Sequence, residues 1–527
     1  MSLLLVLFAL LASLSTVLTF ASLWQVKEWR IDRLKEHFRS EGLFQQTFGL
    51  LKPLILLLAL PALLHRWVPH DTWTMGVLSL LTILTVIRLA LSRQPHPVWT
   101  VKAIALVGGA LCFVLLAALL ILLLPPTFMP GMVLVPLLAS LALVLSWSIF
   151  LPVDALLKRR IMRRARAMRD RHEHLIVIGI TGSVGKTTTK ELLLHLLKDQ
   201  GAVATPAYVN SEIGVARWMM RVLAEEATPK ILIVEMGAYR SGEIRRLCAI
   251  TRPLIGIVTF IGSQHIALFK SQEKLLAAKA ELFDALPPEG AGIVNGDSPF
   301  ATELKTHAHC RTVTVGTGGP ADMEAFDIEE TATGLRFRVG NTMITTPLHG
   351  THNVTNILLA MAAAEVLDLP RPHIARRLPS FRPPEHTFSV RTVGTVTLLD
   401  DTHNASQASF NASIGWAKAQ PAEEKVLLTS GLIELGEEED RVHAQLGVEA
   451  AGIFARVIFC HPRHAHSFAR GYGKSVEILS KKTQPVLPGS LFVCVGRIPE
   501  ETVRRLLPHS PSPSPSPNPN PSPHPQS

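Results

Sequence analysis

Residues 179–191 read GITGSVGKTTTKE, and the types and spacing of this stretch suit one chemistry above others, the holding of nucleotide phosphates. Backbone N–H groups of a glycine-rich turn at the start of a helix form a cradle for phosphate oxygens. In such a cradle Gly182, Ser183, Gly185 and Thr188 shape the loop and the first turn. Lys186 reaches the terminal phosphates and the Thr187 hydroxyl holds magnesium. The expected ligands are therefore ATP and Mg2+. The strict pattern asks for glycine where this chain has Ile180; its glycines stand at Gly179, Gly182 and Gly185 instead. A turn that binds nothing could have the same composition, so the flanks matter. Residues 174–178 are an apolar run that reads as a strand, and the residues after Lys186 carry a helical pattern.

Other candidates lie at the ends of apolar runs. Glu235 closes the run 231–235, the place where a carboxylate meets a metal held by Thr187, although a solvated strand-end acid would look the same. Asn353 and Asn356 lie one turn apart at the start of a helical pattern, where amides can contact adenine or simply cap the helix. Asp400 and Asp401 close another strand, with Asn404 just behind, and could accept ribose hydroxyls or orient the phosphate loop when two domains close.

The elements that must position these residues divide the chain of 527 residues. Before about residue 155 five apolar runs are long enough to span a hydrocarbon core: 2–24, 48–64, 73–91, 98–124 and 129–151. The first lacks a basic leader and a cleavage site, and reads as an anchor. Lys27 to Arg39 and Lys158 to Arg171 are rich in basic residues, which places both segments on the cytoplasmic side and the N-terminus outside. Much of the net charge of +10 is thereby assigned to anionic lipid beside the last span rather than to nucleic acid, since Lys158 to Arg171 has no aromatic partners. The five cysteines fit no disulfide framework or zinc spacing.

Beyond the basic segment, strand candidates at 174–180, 231–235, 254–260 and 292–295 alternate with helices near 186–198, 213–224 and 273–286. This alternation predicts a parallel sheet covered by helices. Residues 325–348 read as antiparallel strands at its edge and 353–367 as a closing helix. The proline-rich stretch 370–384 suits a hinge. Strands at 396–399, 426–429, 457–460 and 491–495 then make a second, smaller α/β domain. The Ser-Pro and Asn-Pro repeat from Pro508 onward is expected to be disordered.

Seven stretches in order carry a resemblance to the Mur ligases: the phosphate loop, NSEIGV (210–215), VEMGAYRSGEI (234–244), SQHIALFKSQEKLLAAKAELF (263–283), GTHNVTNILLAMAAA (350–364), DDTHNASQAS (400–409) and SGLIELGEEEDRVH (430–443). The resemblance runs from about residue 175 to 507. It implies a central P-loop ATPase domain with a parallel sheet (157–379) and a Rossmann-like C-terminal domain (380–507), which with the apolar runs and the repeat leaves a membrane region (1–156) and a tail (508–527). It also implies that His265 binds a second magnesium, that Lys279 is carbamylated and becomes a metal-holding anion, and that Asn356 contacts the base. By spacing alone, His265 could be structural and Lys279 a surface-helix residue.

As function, the resemblance implies an ATP-dependent amide ligase of peptidoglycan precursor synthesis. A muropeptide carboxylate, UDP-linked or lipid-linked, becomes an acyl phosphate and is joined to D-alanyl-D-alanine. The catalytic set would be Lys186, Lys279 and His265, the metal set Thr187, Glu235, His265 and Lys279, and the enzyme a multi-pass protein with its catalytic domains in the cytoplasm. Four departures keep other readings open. The membrane spans stand where these ligases carry a UDP-binding domain. The family's DD-S-Y-N-A-N-P appears as DDTHNASQ, and its K-G-S-R as Cys494-Val495-Gly496-Arg497. Pro384-Glu385-His386-Thr387 lacks the usual arginine, although Arg382 and Arg391 are near. The alternatives are a ligase for another lipid-linked or polymer carboxylate and a membrane ATPase or scaffold without ligase activity.

Overall fold

The computed structural model describes residues 2–41, 70–225, 228–262, 269, 271–331, 333–402, 406–432, 435 and 438–508, which fall into two compact units, Met1–Arg159 and Arg160–Ser527. The expected span 48–64 and the tail beyond Pro508 lie outside the described residues.

In the first unit four described helices are long and apolar enough to cross a membrane: Ser2–Val26, Thr72–Ala90, Val101–Leu122 and Phe128–Asp170. Their packing leaves many large apolar side chains on the outside. On Val101–Leu122 the small residues Ala103, Ala110 and Ala118 are buried while Ile104, Leu116 and Leu120 are exposed. Close packing through small residues, with large apolar ones outside, is how helices associate in lipid. Thr82 Oγ1 donates to Phe8 O (3.2 Å), Gln94 Nε2 to Thr19 Oγ1 (2.8 Å) and Gln25 Nε2 to Val98 O (2.8 Å). The first and third expected spans therefore run in the same direction, as alternation across a bilayer requires of them.

The last expected span does not stop at residue 151. Its helix continues through Pro152 to Asp170. A proline inside a helix removes one hydrogen bond and kinks the chain, but strong helix formers on both sides carry the helix on. Within the second unit Ala165 is buried in the core, with Ile161, Met162 and Met168 packed around it. One member of the basic segment is structural rather than available to lipid: Arg169 is buried and donates to the carbonyls of Thr251 (3.1 Å), His172 (2.7 Å) and Leu175 (2.8 Å).

The second unit holds two sheets. The larger has the order β2-β3-β1-β4-β5-β6-β7-β8-β9, built from β1 (Ile176–Thr181), β2 (Ala202–Ala204), β3 (Ile231–Glu235), β4 (Ile255–Val258), β5 (Ala291–Asn295), β6 (Arg311–Gly316), β7 (Met323–Thr331), β8 (Gly334–Val339) and β9 (Thr342–Thr346). Pairings from β2 through β7 are parallel, and β7-β8-β9 is the expected antiparallel edge. Helices cover both faces with apolar cores of Ile, Leu, Val and Ala. The chain leaves β1 toward β3 on one side and returns to β4 on the other. The crevice at the carboxyl end of β1 is therefore the topological switch point, where open α/β sheets bind ligands.

The smaller sheet has the order β10-β11-β15-β12-β13-β14, with β10 (Ser389–Val393), β11 (Val396–Asp401), β12 (Lys425–Thr429), β13 (Arg456–Phe459), β14 (Glu477–Ile478) and β15 (Leu491–Val495). The strands β10 and β14, like β2 and β6 above, were not among the expected ones. β2 and β14 are too short, and β10 too exposed, to carry an apolar signature.

The stretch 370–384 also differs from the expected hinge. It contains a helix, Arg371–Arg377, and a 3-10 turn, Leu378–Ser380, whose Ile374 and Leu378 are buried in the large-sheet core together with Phe381. Arg377 fastens it by bonds to Leu196 O and to Asp199 (2.8 Å). Prolines at the first turn of a helix lose no bond, so here they start an element rather than break one.

Candidate active site

The loop after β1 is held by the neighbouring strand. Ser183 N donates to Phe260 O (2.7 Å) and Thr259 Oγ1 to Val184 O (2.6 Å). Gly182 (φ +145°) lies so close to Thr259, and Gly185 (φ +86°) so close to Asn356, that a Cβ on either would collide with the facing side chain. The helix Lys186–Leu197 then begins with no side-chain cap on its first N–H groups, leaving them and the positive end of the helix dipole open to an anion. Lys186 Nζ rests on the loop itself, donating to Gly182 O (2.8 Å) and Ser183 O (3.0 Å). Gly185→Ala combines a collision with a left-handed backbone that costs on the order of 1–3 kcal/mol. An ADP titration is expected to show affinity reduced at least about tenfold, and unchanged affinity would remove the loop from the nucleotide site.

At the carboxyl end of β3, paired with Ile180 of β1, the buried Glu235 accepts from Thr187 Oγ1 (3.0 Å) and from Asn210 Nδ2 (3.3 Å). Two of the four residues assigned to the metal, Thr187 and Glu235, are thus in direct contact. Across the cleft, on the helix Gln272–Asp284, Lys279 is buried. Burial, with the Lys186 charge adding to it and Glu243 and Glu281 opposing, lowers its ammonium to about 7. Glu281 itself accepts from the N–H groups of Gly242 (2.5 Å) and Arg245 (3.0 Å), which fixes the start of the helix Glu243–Thr251.

The cleft these groups line has a volume of about 510 Å³ and is closed on its other side by the smaller sheet, through Thr387, Phe388, Asp401, Ser409 and Arg497. Asp401 is buried, one oxygen accepting from Phe388 N (3.3 Å) and the other without a hydrogen-bond partner, and burial raises its carboxyl to about 6. Asp400, its neighbour on β11, does not border the cleft. Successive strand residues face opposite ways, and Asp400 is engaged by Thr402 Oγ1 (2.6 Å), His386 Nδ1 (3.0 Å) and Arg391 Nη2 (3.4 Å).

A carboxyl raised in the folded state binds more proton there than when unfolded, so between about 4 and 6 stability falls as pH rises, and the cost is complete above 6. Asp401→Asn keeps the Phe388 bond and removes the charge. It is expected to stabilise the chain by roughly 3 kcal/mol at pH 7.5 and by less at pH 4, read from thermal midpoints, while slowing ATP turnover. Equal shifts at both pH values would refute the buried-charge explanation.

Most of the sequence-assigned residues converge here. Ser183, Gly185, Lys186, Thr187, Thr188, Glu235, Lys279, Asn353, Asn356 and Asp401 line the cleft, Gly182 lies beneath it, and His265 and Asn404 fall outside the described residues. Asn356 donates to Asn353 Oδ1 (2.9 Å) and Asn353 to His349 O (2.8 Å), so the two amides order each other and the helix start. Sequence reasoning missed His352. It borders the cleft with its Nδ1 sealed and unpartnered, packs edge-on to Phe388 at 4.8 Å, and is lowered to about 4 by burial, which keeps it neutral at ordinary pH. Its position just before Asn353 was the available signal. Tyr208, missed too, stands at the cleft mouth in a left-handed backbone (φ +65°), 79% exposed.

The parallel sheet with its switch-point crevice and glycine-rich loop, faced by a second α/β sheet, defines an α/β protein of the P-loop class. Residues 180–364 match the Mur ligase middle domain. The chain is 31% identical over 319 residues to the UDP-N-acetylmuramoyl-tripeptide--D-alanyl-D-alanine ligase of a Synechocystis species, covering 60% of this chain and 68% of that one. With the ligases of the same name from Escherichia coli and Bacillus subtilis the identities are 30% and 31%, covering 56% and 51% of this chain and 67% and 59% of theirs. MurF from Acinetobacter baumannii superposes with a TM-score of 0.60 at 22% identity, covering 66% of this chain and 80% of that one. MurF from Thermotoga maritima, solved with ADP, gives 0.58 at 25%, covering 66% and 83%. The chain belongs to the Mur ligase family. It spans about 59 to 68% of the length of these three curated relatives.

Proposed function

We propose that this chain is an ATP-dependent amide ligase of peptidoglycan precursor synthesis that joins a muropeptide carboxylate to D-alanyl-D-alanine. The observation that carries the reading is the contact of Thr187 with Glu235 at the mouth of an uncapped phosphate-loop helix, with Lys279 lining the same cleft. In this reading a carboxylate oxygen of the acceptor attacks the γ-phosphorus, the bond to the ADP oxygen breaks, and an acyl phosphate forms. The amine then adds to the acyl carbon, loses its proton and expels phosphate, leaving the amide. Lys186 and the loop N–H groups offset charge on the transferring phosphoryl oxygens. Asp401, Phe388 and Ser409, from the second α/β layer, close the cleft and keep water from the acyl phosphate.

A hydroxyl beside a carboxylate is an oxygen donor pair that suits magnesium, and the sealed, unpartnered Ser183 Oγ and Asp401 Oδ2 are further oxygens awaiting a partner. Thr187 and Glu235 would hold the ion, with Lys279 joining them as a carbamate and His265 holding a second ion, while Asn404 would contact the nucleotide; the ions would supply charge neutralisation at the phosphates. We assign residues 157–379 to the central domain and 380–507 to the C-terminal one.

A second reading changes only the acceptor. Four described helices able to cross a membrane, the last running into the basic segment, favour a lipid-linked muropeptide. They favour equally a location in the cytoplasmic membrane beside anionic lipid, with the catalytic unit on the cytoplasmic side. Incubating detergent-solubilised protein with ATP, Mg2+, D-alanyl-D-alanine and either UDP-linked or lipid-linked muropeptide, then reading acceptor mass, separates the two. A gain of one dipeptide is expected. No gain on either acceptor would refute the D-alanyl-D-alanine assignment even with ATP consumed.

A further inference from the structure

One charged side chain beside the cleft has no part in the chemistry above. Lys190, on the phosphate-loop helix one turn beyond Lys186, is completely buried (0% exposed). Burying an ammonium is costly unless it is matched, and here it donates to Thr205 O (2.9 Å) and forms ion pairs with Glu191 Oε1 (3.1 Å) and Glu235 Oε2 (3.5 Å). Thr205 is tied to the same place twice, because its hydroxyl also accepts from Glu235 N (3.0 Å). The oxygen of Glu235 that faces Lys190 is the one that accepts from Thr187. Lys190 thus joins the helix, the segment after β2 and the carboxyl end of β3 at a single carboxylate.

We propose that Lys190 is a positioning residue that holds the Glu235 carboxylate in register with Thr187, so that the pair is ready for the divalent cation that accompanies the nucleotide. The inference rests on the metal role given above to Thr187 and Glu235. A cation at the wall of a metal site would be a poor choice if charge alone mattered, since it repels the metal. It is suited to orientation, because the same ammonium is held by Thr205 O after β2 and paired with Glu235 at the end of β3, which ties the carboxylate to the helix.

The test is ADP binding to the purified full chain, by calorimetry, with and without Mg2+, in wild type, Lys190→Met and Lys190→Gln. Methionine keeps the buried volume, and glutamine also keeps one donor for Thr205 O, which covers the case in which the methionine variant does not fold. The expected result is that the tightening of ADP binding by Mg2+ falls at least tenfold in both variants while affinity without Mg2+ stays within about twofold. Equal weakening with and without the cation would assign Lys190 to structure alone and overturn the proposal, as would an undiminished Mg2+ effect. Wild-type protein that binds ADP no more tightly with Mg2+ would instead refute the metal role of Thr187 and Glu235.

Discussion

Lys186→Ala is expected to reduce ATP-dependent phosphate release by a hundredfold to a thousandfold, the usual cost of removing one preorganised donor from a developing charge. The side chain reaches over the loop and satisfies only the carbonyls of Gly182 and Ser183. Those bonds are local, and the loop is separately held by Phe260 and Thr259. The substitution should therefore leave the thermal midpoint nearly unchanged while ADP affinity falls. Phosphate release by detergent-solubilised protein is the measurement, and undiminished release would refute the assignment of residues 182–188 to the phosphates.

Lys279→Met should have the next largest effect, and in opposite directions on activity and stability. Lys279 is buried and its ammonium is lowered to about 7 from an ordinary 10.5. Between those values the unfolded chain holds more proton than the folded one, so stability rises with pH across that window and the cost of burying the amine is fully present below about 7. Methionine fills similar space without a charge, so the variant should be the more stable at pH 7 and should lose that part of the pH dependence. Turnover should fall at least about a hundredfold, since a metal-facing anion or neutral amine is gone.

In the wild type, the neutral amine present above about 7 is the form that adds carbon dioxide. Activity should accordingly decline as pH drops through 7, and removal of bicarbonate should lower both rate and intact mass by the loss of one carbon dioxide. Full activity in carbon dioxide-free buffer would eliminate the carbamate while leaving the buried amine to be explained.

The glycine-rich loop and the placing of Thr187 and Glu235 at element ends were legible in the sequence because each element follows local grammar. Glycines mark the turn, an apolar run marks a parallel strand, and a polar residue at its carboxyl end marks the crevice. The choice between Asp400 and Asp401 was not legible. β11 is buried on both faces, so its sequence shows no alternation from which to tell which carboxylate faces the cleft and which meets Thr402 and Arg391. His352 and Lys190 were hidden for a related reason. Their significance lies in partners distant along the chain, Phe388 for one and Thr205 with Glu235 for the other.

The proline-rich stretch 370–384 misled because prolines mark helix starts as readily as breaks, and only the burial of Ile374, Leu378 and Phe381 against the large sheet distinguishes the two. By itself, then, the amino-acid order determined the four described apolar spans, the alternation of strands and helices and the glycine-rich turn after β1, since these follow from side-chain periodicity and backbone preference over a few residues. Tertiary structure decided which of two adjacent carboxylates enters the cleft, how the second sheet closes it and where a buried cation finds its acceptors. Those outcomes depend on strand register and on contacts between segments far apart in the chain, which no short window of sequence contains.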